Sequence, residues 1–231
     1  VDPHQLQPTR AQHFSLLAAS IKCGTTRLID HTFLMTRKPI VAIDGPAGVG
    51  KSTVSRAFAK KLGLLYLDTG AMYRSVAWFI LEKGINPTDH FEITKILKDF
   101  KLELEPSNNG QNVIVNGNNI TNAIRSPKVT SIVSSVAAQQ PVRESLTNQQ
   151  KKIGQSGGLV AEGRDIGTAV FPNAELKIFL TASTRERAQR RSIDLKNQGF
   201  SVPSLDVLEQ EIAKRDDMDR NREISPLKQA K

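Results

Sequence analysis

Cysteine is almost missing from this chain: Cys23 stands alone among 231 residues. That excludes an internal disulfide framework and fits a reducing compartment. Histidine is scarce too, and His4, His13, His31 and His90 are scattered without metal-ligand spacing, so surface or packing roles are expected of them. Aromatic residues make up 5% of the chain, and none alternates with the basic residues as a base-stacking platform requires. No apolar run approaches the length of a membrane span. Near the start, the apolar stretch is too short for a signal peptide and no cleavage site follows it. Asp2 and Asp30 count against a transit peptide. A cytoplasmic protein without a membrane partner is expected.

What the chain does have is positive charge, +9 in total. Its arginines gather at Arg185, Arg187, Arg190 and Arg191 and again at Arg215, Arg220 and Arg222, with acids between them. Planar guanidinium groups in such clusters suit the clamping of phosphates. Small phosphorylated ligands are therefore favoured over a long polyanion, and no nucleic-acid partner is expected. A nucleic-acid binder would instead show tight, steeply salt-dependent association.

Residues 45–52 read Gly45-Pro46-Ala47-Gly48-Val49-Gly50-Lys51-Ser52, followed by Thr53. This is a phosphate-binding loop, set between the apolar run Ile40-Val41-Ala42-Ile43 and a helical pattern opening at Ser52. Its glycines let backbone N–H groups converge on a polyphosphate beside a helix N-terminus. Lys51 can reach the β- and γ-phosphates, and the Ser52 hydroxyl can ligate Mg²⁺. A nucleoside triphosphate, ATP with Mg²⁺, is the expected ligand.

Strands and helices alternate beyond the loop. Val54, Ala57, Phe58 and Leu62 keep helical spacing up to Gly63, and Leu64–Leu67 reads as a buried strand ending at Asp68. A second amphipathic helix runs to Gly84. Residues 101–122 alternate and carry the hairpin signal Asn116-Gly117. Helices are predicted over 126–138, 141–155, 184–198 and 204–219, with strands at 159–161 and 176–180. The pattern predicts an α/β fold with a parallel sheet flanked by helices, and a ligand at the carboxyl ends of the strands. In the first 37 residues, Phe14–Ile21 reads as a short amphipathic helix stopped at Gly24, and Thr26–Asp30 as a brief strand.

Three further groups fall at predicted strand ends or near the C-terminus. Asp68-Thr69-Gly70-Ala71-Met72-Tyr73-Arg74 opens a helix and offers a second anion site. Glu162-Gly163-Arg164-Asp165 ends a strand, and Arg215-Asp216-Asp217-Met218-Asp219-Arg220-Asn221-Arg222 adds arginines and carboxylates. With Gly163-Arg164-Asp165-Ile166-Gly167-Thr168 and Phe171-Pro172, these runs resemble bacterial cytidylate kinase from Ile40 to Leu227.

The resemblance implies a nucleoside monophosphate kinase fold at 38–231, with a nucleotide-binding insert at about 99–158 and a lid at about 187–199. It implies CMP and dCMP as phosphoryl acceptors and a monomeric kinase domain. Carried over by position, Ser134, Arg143 and Asp165 would read the cytosine edge. Arg74, Arg164 and Arg222 would hold the acceptor phosphate, and Thr69, Arg215 and Asp219 the sugar. Lys51, Arg164, Arg187 and Arg191 would serve catalysis, with Arg190 in or beside the lid. Glu162 stands where an aspartate is often found. UMP, AMP or shikimate are the alternative acceptors for a kinase of this loop type.

Leu16–Asp30, centred on Gly24-Thr25-Thr26-Arg27-Leu28-Ile29-Asp30, resembles the C-terminal end of pantoate–β-alanine ligase. Residues 1–37 are thus expected to be a ligase tail and linker, as in the fusions of the two enzymes found in cyanobacteria, and no ligase activity is expected of this stretch. The kinase resemblance further implies a strand and a helix beyond Leu227 that the sequence to Lys231 does not include. Replacing Arg143 by alanine is expected to raise the CMP KM with little change for ATP. Steady-state kinetics checks this, and equal loss for both substrates would count against the assignment.

Overall fold

The computed structural model describes residues 14–35, 37–107 and 110–231. At its centre lies a four-stranded sheet of β3 (Ile40–Asp44), β4 (Leu65–Asp68), β8 (Leu159–Gly163) and β9 (Leu176–Phe179). The strand order is β4-β8-β3-β9, and every pairing is parallel. All five residues of β3 and all five of β8 are buried, as expected for parallel strands covered on both faces. Alternation splits them between two layers. Ile40, Ala42, Leu67, Leu159 and Ala161 pack with Met72, Val76 and Ile80 of α2 (Thr69–Glu82). Val41, Ile43 and Val160 pack with Ala59 and Phe58 of α1 (Lys51–Leu62).

Between β4 and β8 the chain builds α3 (His90–Ile96) and a small antiparallel sheet. That sheet holds β5 (Leu102–Ser107), β6 (Gly110–Val115) and β7 (Asn118–Asn119), followed by helices α4 (Pro127–Ala138) and α5 (Gln140–Ile153). Asn116 and Gly117 turn β6 into β7 with φ of 48° and 80°, the two positive values a tight hairpin needs. Val113 and Val115 bury their side chains in the same apolar cluster as Met72 and Leu159, so this region shares the main core. Gln111 adds a polar link. Its amide accepts from the backbone N–H of Asp68 at 3.4 Å and donates to the Tyr66 carbonyl at 3.3 Å.

The last two helices, α6 (Thr184–Asn197) and α7 (Leu205–Asn221), pack together through Ala188, Leu195 and Leu208. Ser183 and Glu186 form a capping box that fixes the start of α6. Residues 222–231 form no helix or strand, and β9 lies at the edge of the sheet among the described residues.

One sequence expectation changes. Residues 14–21 are a strand: β1 (Phe14–Cys23) pairs antiparallel with β2 (Thr26–Met35) over ten residues each. The spacing of Leu16, Leu17 and Ile21 suits either period, and the partner strand beyond Gly24 decides it. Residues 187–199, where the lid is expected, are mostly the continuous helix α6 and its C-terminal turn. Residues 1–13 of the expected tail lie outside the described residues.

Glycine matters most where chains approach closely. Gly157 has φ of +70°, and a β-carbon there would lie 2.2 Å from the Lys38 carbonyl oxygen, whereas Gly63, at φ +61°, has open space around it. Gly157→Ala is expected to cost about 3 kcal/mol and Gly63→Ala about 1 kcal/mol. Thermal melts of the two variants check this, and equal shifts would contradict it.

Candidate active site

The parallel register aligns Asp44 with Gly163 and Asp68 with Glu162, so the carboxyl ends of three strands meet along one rim. From Asp44 the chain enters the glycine-rich loop. Gly45 has φ of +149°, and a β-carbon there would sit 2.3 Å from the Leu180 carbonyl oxygen, which no other residue allows. Gly50 caps α1 without a side chain, and the first turn of α1 has no acidic residue. The N–H groups there are left for an anion. Lys51 is buried, its ammonium donating to the carbonyls of Gly45 and Pro46 at 2.8 and 2.6 Å. Burial, with Arg164 and Arg215 beside it, holds this ammonium well below its ordinary pKa against the pull of Glu162 and Asp68. A polyphosphate would reverse that strain.

Ser52, half-buried at the start of α1, shares hydrogen bonds with Tyr66 and Glu162. The Tyr66 hydroxyl donates to the Glu162 carboxylate. Burial and the nearby Asp68 push the Glu162 carboxyl up, against the Tyr66 and Ser52 hydrogen bonds. Burial beside Asp68 and Glu162 also pushes the Tyr66 phenol up. This group of oxygens (a serine hydroxyl with two carboxylates close by) suits a hard cation such as Mg²⁺, which needs only one or two protein carboxylates besides phosphate oxygens. Among the described residues no cluster of three or more acidic, histidine or cysteine ligands forms a closed cage. Thr53 is exposed on the first turn of α1.

Across the rim lies a second, arginine-rich group. Asp68 caps α2 through the Ala71 N–H at 2.8 Å and binds Arg74 at 3.0 Å. Thr69 is buried and donates its hydroxyl to the Glu162 carbonyl at 2.6 Å. Arg143 on α5 donates to Asp165 and to the Ala137 carbonyl, with Tyr73 against its guanidinium plane. Arg222 holds the other Asp165 oxygen at 3.3 Å. Asp219 accepts from Arg164 at 2.8 Å and from Ser134 at 3.3 Å. Burial beside Arg164, Arg74 and Arg191 drops the Arg215 guanidinium to about 10, with Asp219 opposing. Burial also lowers Arg191, against Asp194 and Glu211, and Arg74 adds to the drop. The buried Nε atoms of Arg74 and Arg215 have no hydrogen-bond partner. The cluster thus holds more buried cation than its own carboxylates neutralise, and an anion completes it.

Thr69, Arg74, Ser134, Arg143, Arg164, Asp165, Arg191, Arg215, Asp219 and Arg222 therefore share one neighbourhood. Arg187 does not join them. Its guanidinium is locked on Asp216 at 3.0 and 2.6 Å and on the Ala47 carbonyl at 3.1 Å. Arg190 reaches the Val49 carbonyl at 3.2 Å. Both donate to backbone carbonyls of the loop in this conformation. Sequence reasoning gave no role to Asp44, Tyr66 or Asp68. The available signal was their place at or near the carboxyl ends of the loop strand β3 and of β4.

The Asp219 carboxyl is raised by burial, but Arg164, Arg215 and Arg222 outweigh this and hold it below the ordinary 3.8. Stability linked to it is therefore complete above that ordinary value and lost as pH falls through the depressed one. Asp219→Asn is expected to cost about 3 kcal/mol near neutrality by leaving buried arginine unpaired. Denaturant melts across acid pH should show that gap closing as the wild type loses stability. A constant gap would contradict the ion pairing.

The sequence model of the cytidylate kinase family matches residues 41–231. A bifunctional pantoate ligase/cytidylate kinase from Synechococcus sp. (strain CC9902) is 61% identical over 232 residues, covering all of this chain and 48% of that protein. The protein of the same description from Prochlorococcus marinus (strain MIT 9303) is 62% identical over the same coverage. The chain thus spans about half the length of these relatives. A shikimate kinase from Acinetobacter baumannii, solved with shikimate, aligns at 17% identity over 77% of this chain and 74% of that one, with a TM-score of 0.36. Phosphate loop, arginine-rich rim and sequence agree in placing the chain in the cytidylate kinase family.

Proposed function

We propose that this chain transfers the γ-phosphoryl group of ATP to CMP or dCMP, giving CDP or dCDP. The observation that carries the proposal is the buried Arg143–Asp165–Arg222 group facing a phosphate loop across one strand rim. The loop and Lys51 take the donor phosphates. Arg74, Arg164 and Arg222 take the acceptor phosphate, Thr69, Arg215 and Asp219 the sugar, and Ser134, Arg143 and Asp165 the base. Residues 99–158 act as the acceptor-binding insert, and residues 187–199 close over the site by repacking around α6.

An acceptor phosphate oxygen attacks the γ-phosphorus as the bond to the β–γ bridging oxygen breaks, and ADP leaves. The nucleophile is already anionic, so no general base is required. The protein's task is alignment and neutralisation of spread charge by Lys51, Arg164 and Arg191. Arg187 would contribute only after release from Asp216. Mg²⁺, held by Ser52 with Glu162 and Asp68 near it, would neutralise donor phosphate charge. Base choice follows from polar pairing: a wrong base leaves Asp165 and Arg143 buried and unmatched, which can reject it by roughly 10⁴-fold.

No helix among the described residues is long and apolar enough to cross a membrane. The domain is read as a cytoplasmic monomer that takes small nucleotides and no nucleic acid. In a full-length protein resembling the relatives above, pantoate ligase activity would lie in the other half. A coupled ADP-release assay with CMP, dCMP, UMP, AMP and shikimate tests the reading. CMP and dCMP should dominate, and a faster rate with any other acceptor would overturn it.

A further inference from the structure

The turn that carries Arg164 and Asp165 starts without a cap of its own. Residues Ile166–Val170 form a single wide π-type turn after Asp165. Its closing bonds run from the Val170 N–H to the Asp165 carbonyl at 3.2 Å and from the Phe171 N–H to the Ile166 carbonyl at 2.7 Å. Such a turn leaves its first N–H groups open, and an aspartate just before it ordinarily folds back to accept them. Asp165 stands at that position and makes no such bond. Its carboxylate is committed outward, to Arg143 and Arg222.

A different carboxylate does the capping. Asp44, the last residue of β3, accepts from the Ile166 N–H at 2.9 Å and the Gly167 N–H at 2.8 Å. It is 4% exposed, and no salt bridge to a cation is found for it among the described residues. Burial pushes its carboxyl up and Asp165 adds to that push, while the two N–H bonds and, more weakly, the Lys51 ammonium oppose it. The Asp44 backbone carbonyl also accepts from the Leu180 N–H at 2.8 Å, and Gly45 follows directly as the first residue of the phosphate loop. One residue therefore joins the donor loop to the turn bearing Arg164 and Asp165. A buried carboxylate with no salt-bridge partner in contact is costly to keep, and here it satisfies two N–H groups that Asp165 would otherwise claim.

We infer that Asp44 is a positioning residue that caps the 166–170 turn from another strand and so leaves the Asp165 carboxylate facing the acceptor site. Without it, the open N–H groups draw Asp165 back as a local cap, away from Arg143 and Arg222. The kinetic part of the inference rests on the CMP reading given above. The structural part, the cap itself, does not.

The test compares wild type with Asp44→Asn, which keeps size but presents an N–H group to one of the two donors, and with Asp44→Ala. Amide hydrogen exchange at Ile166 and Gly167, measured without nucleotide, should rise in both variants relative to residues elsewhere in the core. Unchanged protection there would overturn the cap, whatever the substrate. For kinetics, the KM for CMP should rise about tenfold or more while that for ATP stays within about twofold, the loss expected for one or two buried hydrogen bonds. Preference for CMP over UMP should fall in step. Loss of melting temperature with both KM values and the base preference unchanged, or an equal rise in both KM values, would mean a purely structural role and overturn the inference. Should alanine prevent folding, the asparagine variant carries every arm. Wild type inactive on CMP would overturn the functional reading instead, leaving the exchange result to decide the cap.

Discussion

Parallel pairing of β3, β8 and β4 in one register is the constraint from which the rest follows. It sets Asp44 beside Gly163 and Asp68 beside Glu162, so three chain segments leave the sheet within one narrow rim. Each segment then opens a helix or turn at that rim. Backbone dipoles and side-chain charge are thereby focused on one cleft. Loops of quite different sequence can share one ligand volume because their starting points are fixed by strand hydrogen bonds.

Charge in that cleft is deliberately unbalanced. Asp165 and Asp219 each hold two side chains, at least one of them an arginine, yet the arginines outnumber the carboxylates they can reach. Burial and mutual repulsion drop the Arg215 guanidinium to about 10, an arrangement that a bound anion would relieve. Such a site prefers anions by the strain it carries as well as by the contacts it makes. The carboxylates keep the arginines aimed, so the cost of ordering them is met during folding.

Most of the core was legible because its signals are local. Apolar runs at Ile40–Ile43 and Leu159–Ala161, the glycine-rich loop and Asn116-Gly117 each carry their own geometry. The hairpin at Phe14–Met35 was only half legible, since the choice between helix and strand rests on a partner strand beyond the Gly24 turn. At the site, the charged runs pointed to Arg74, Arg164, Asp165, Asp219 and Arg222, whereas Arg143 came only from the family resemblance, and the fold gathers them. Sequence could not show that Arg187 is engaged by Asp216, since that pairing exists only once α6 lies on α7. Nor could it show Asp44 reaching 122 residues along the chain to Ile166.

The Gln111 amide against β4 carries a consequence for solubility and motion together. β4 is an outer strand of the central sheet, and an outer strand with free N–H and carbonyl groups invites pairing with another molecule. One glutamine side chain stands in for a neighbouring strand by meeting a single N–H and a single carbonyl. A side chain can let go where a strand cannot. Lifting the inserted sheet off the core would still break more than these two long hydrogen bonds, because Val113 and Val115 are buried in the main apolar cluster. The same apolar contacts that seat the insert therefore keep the β4 edge covered, so packing inside the molecule doubles as protection against pairing outside it.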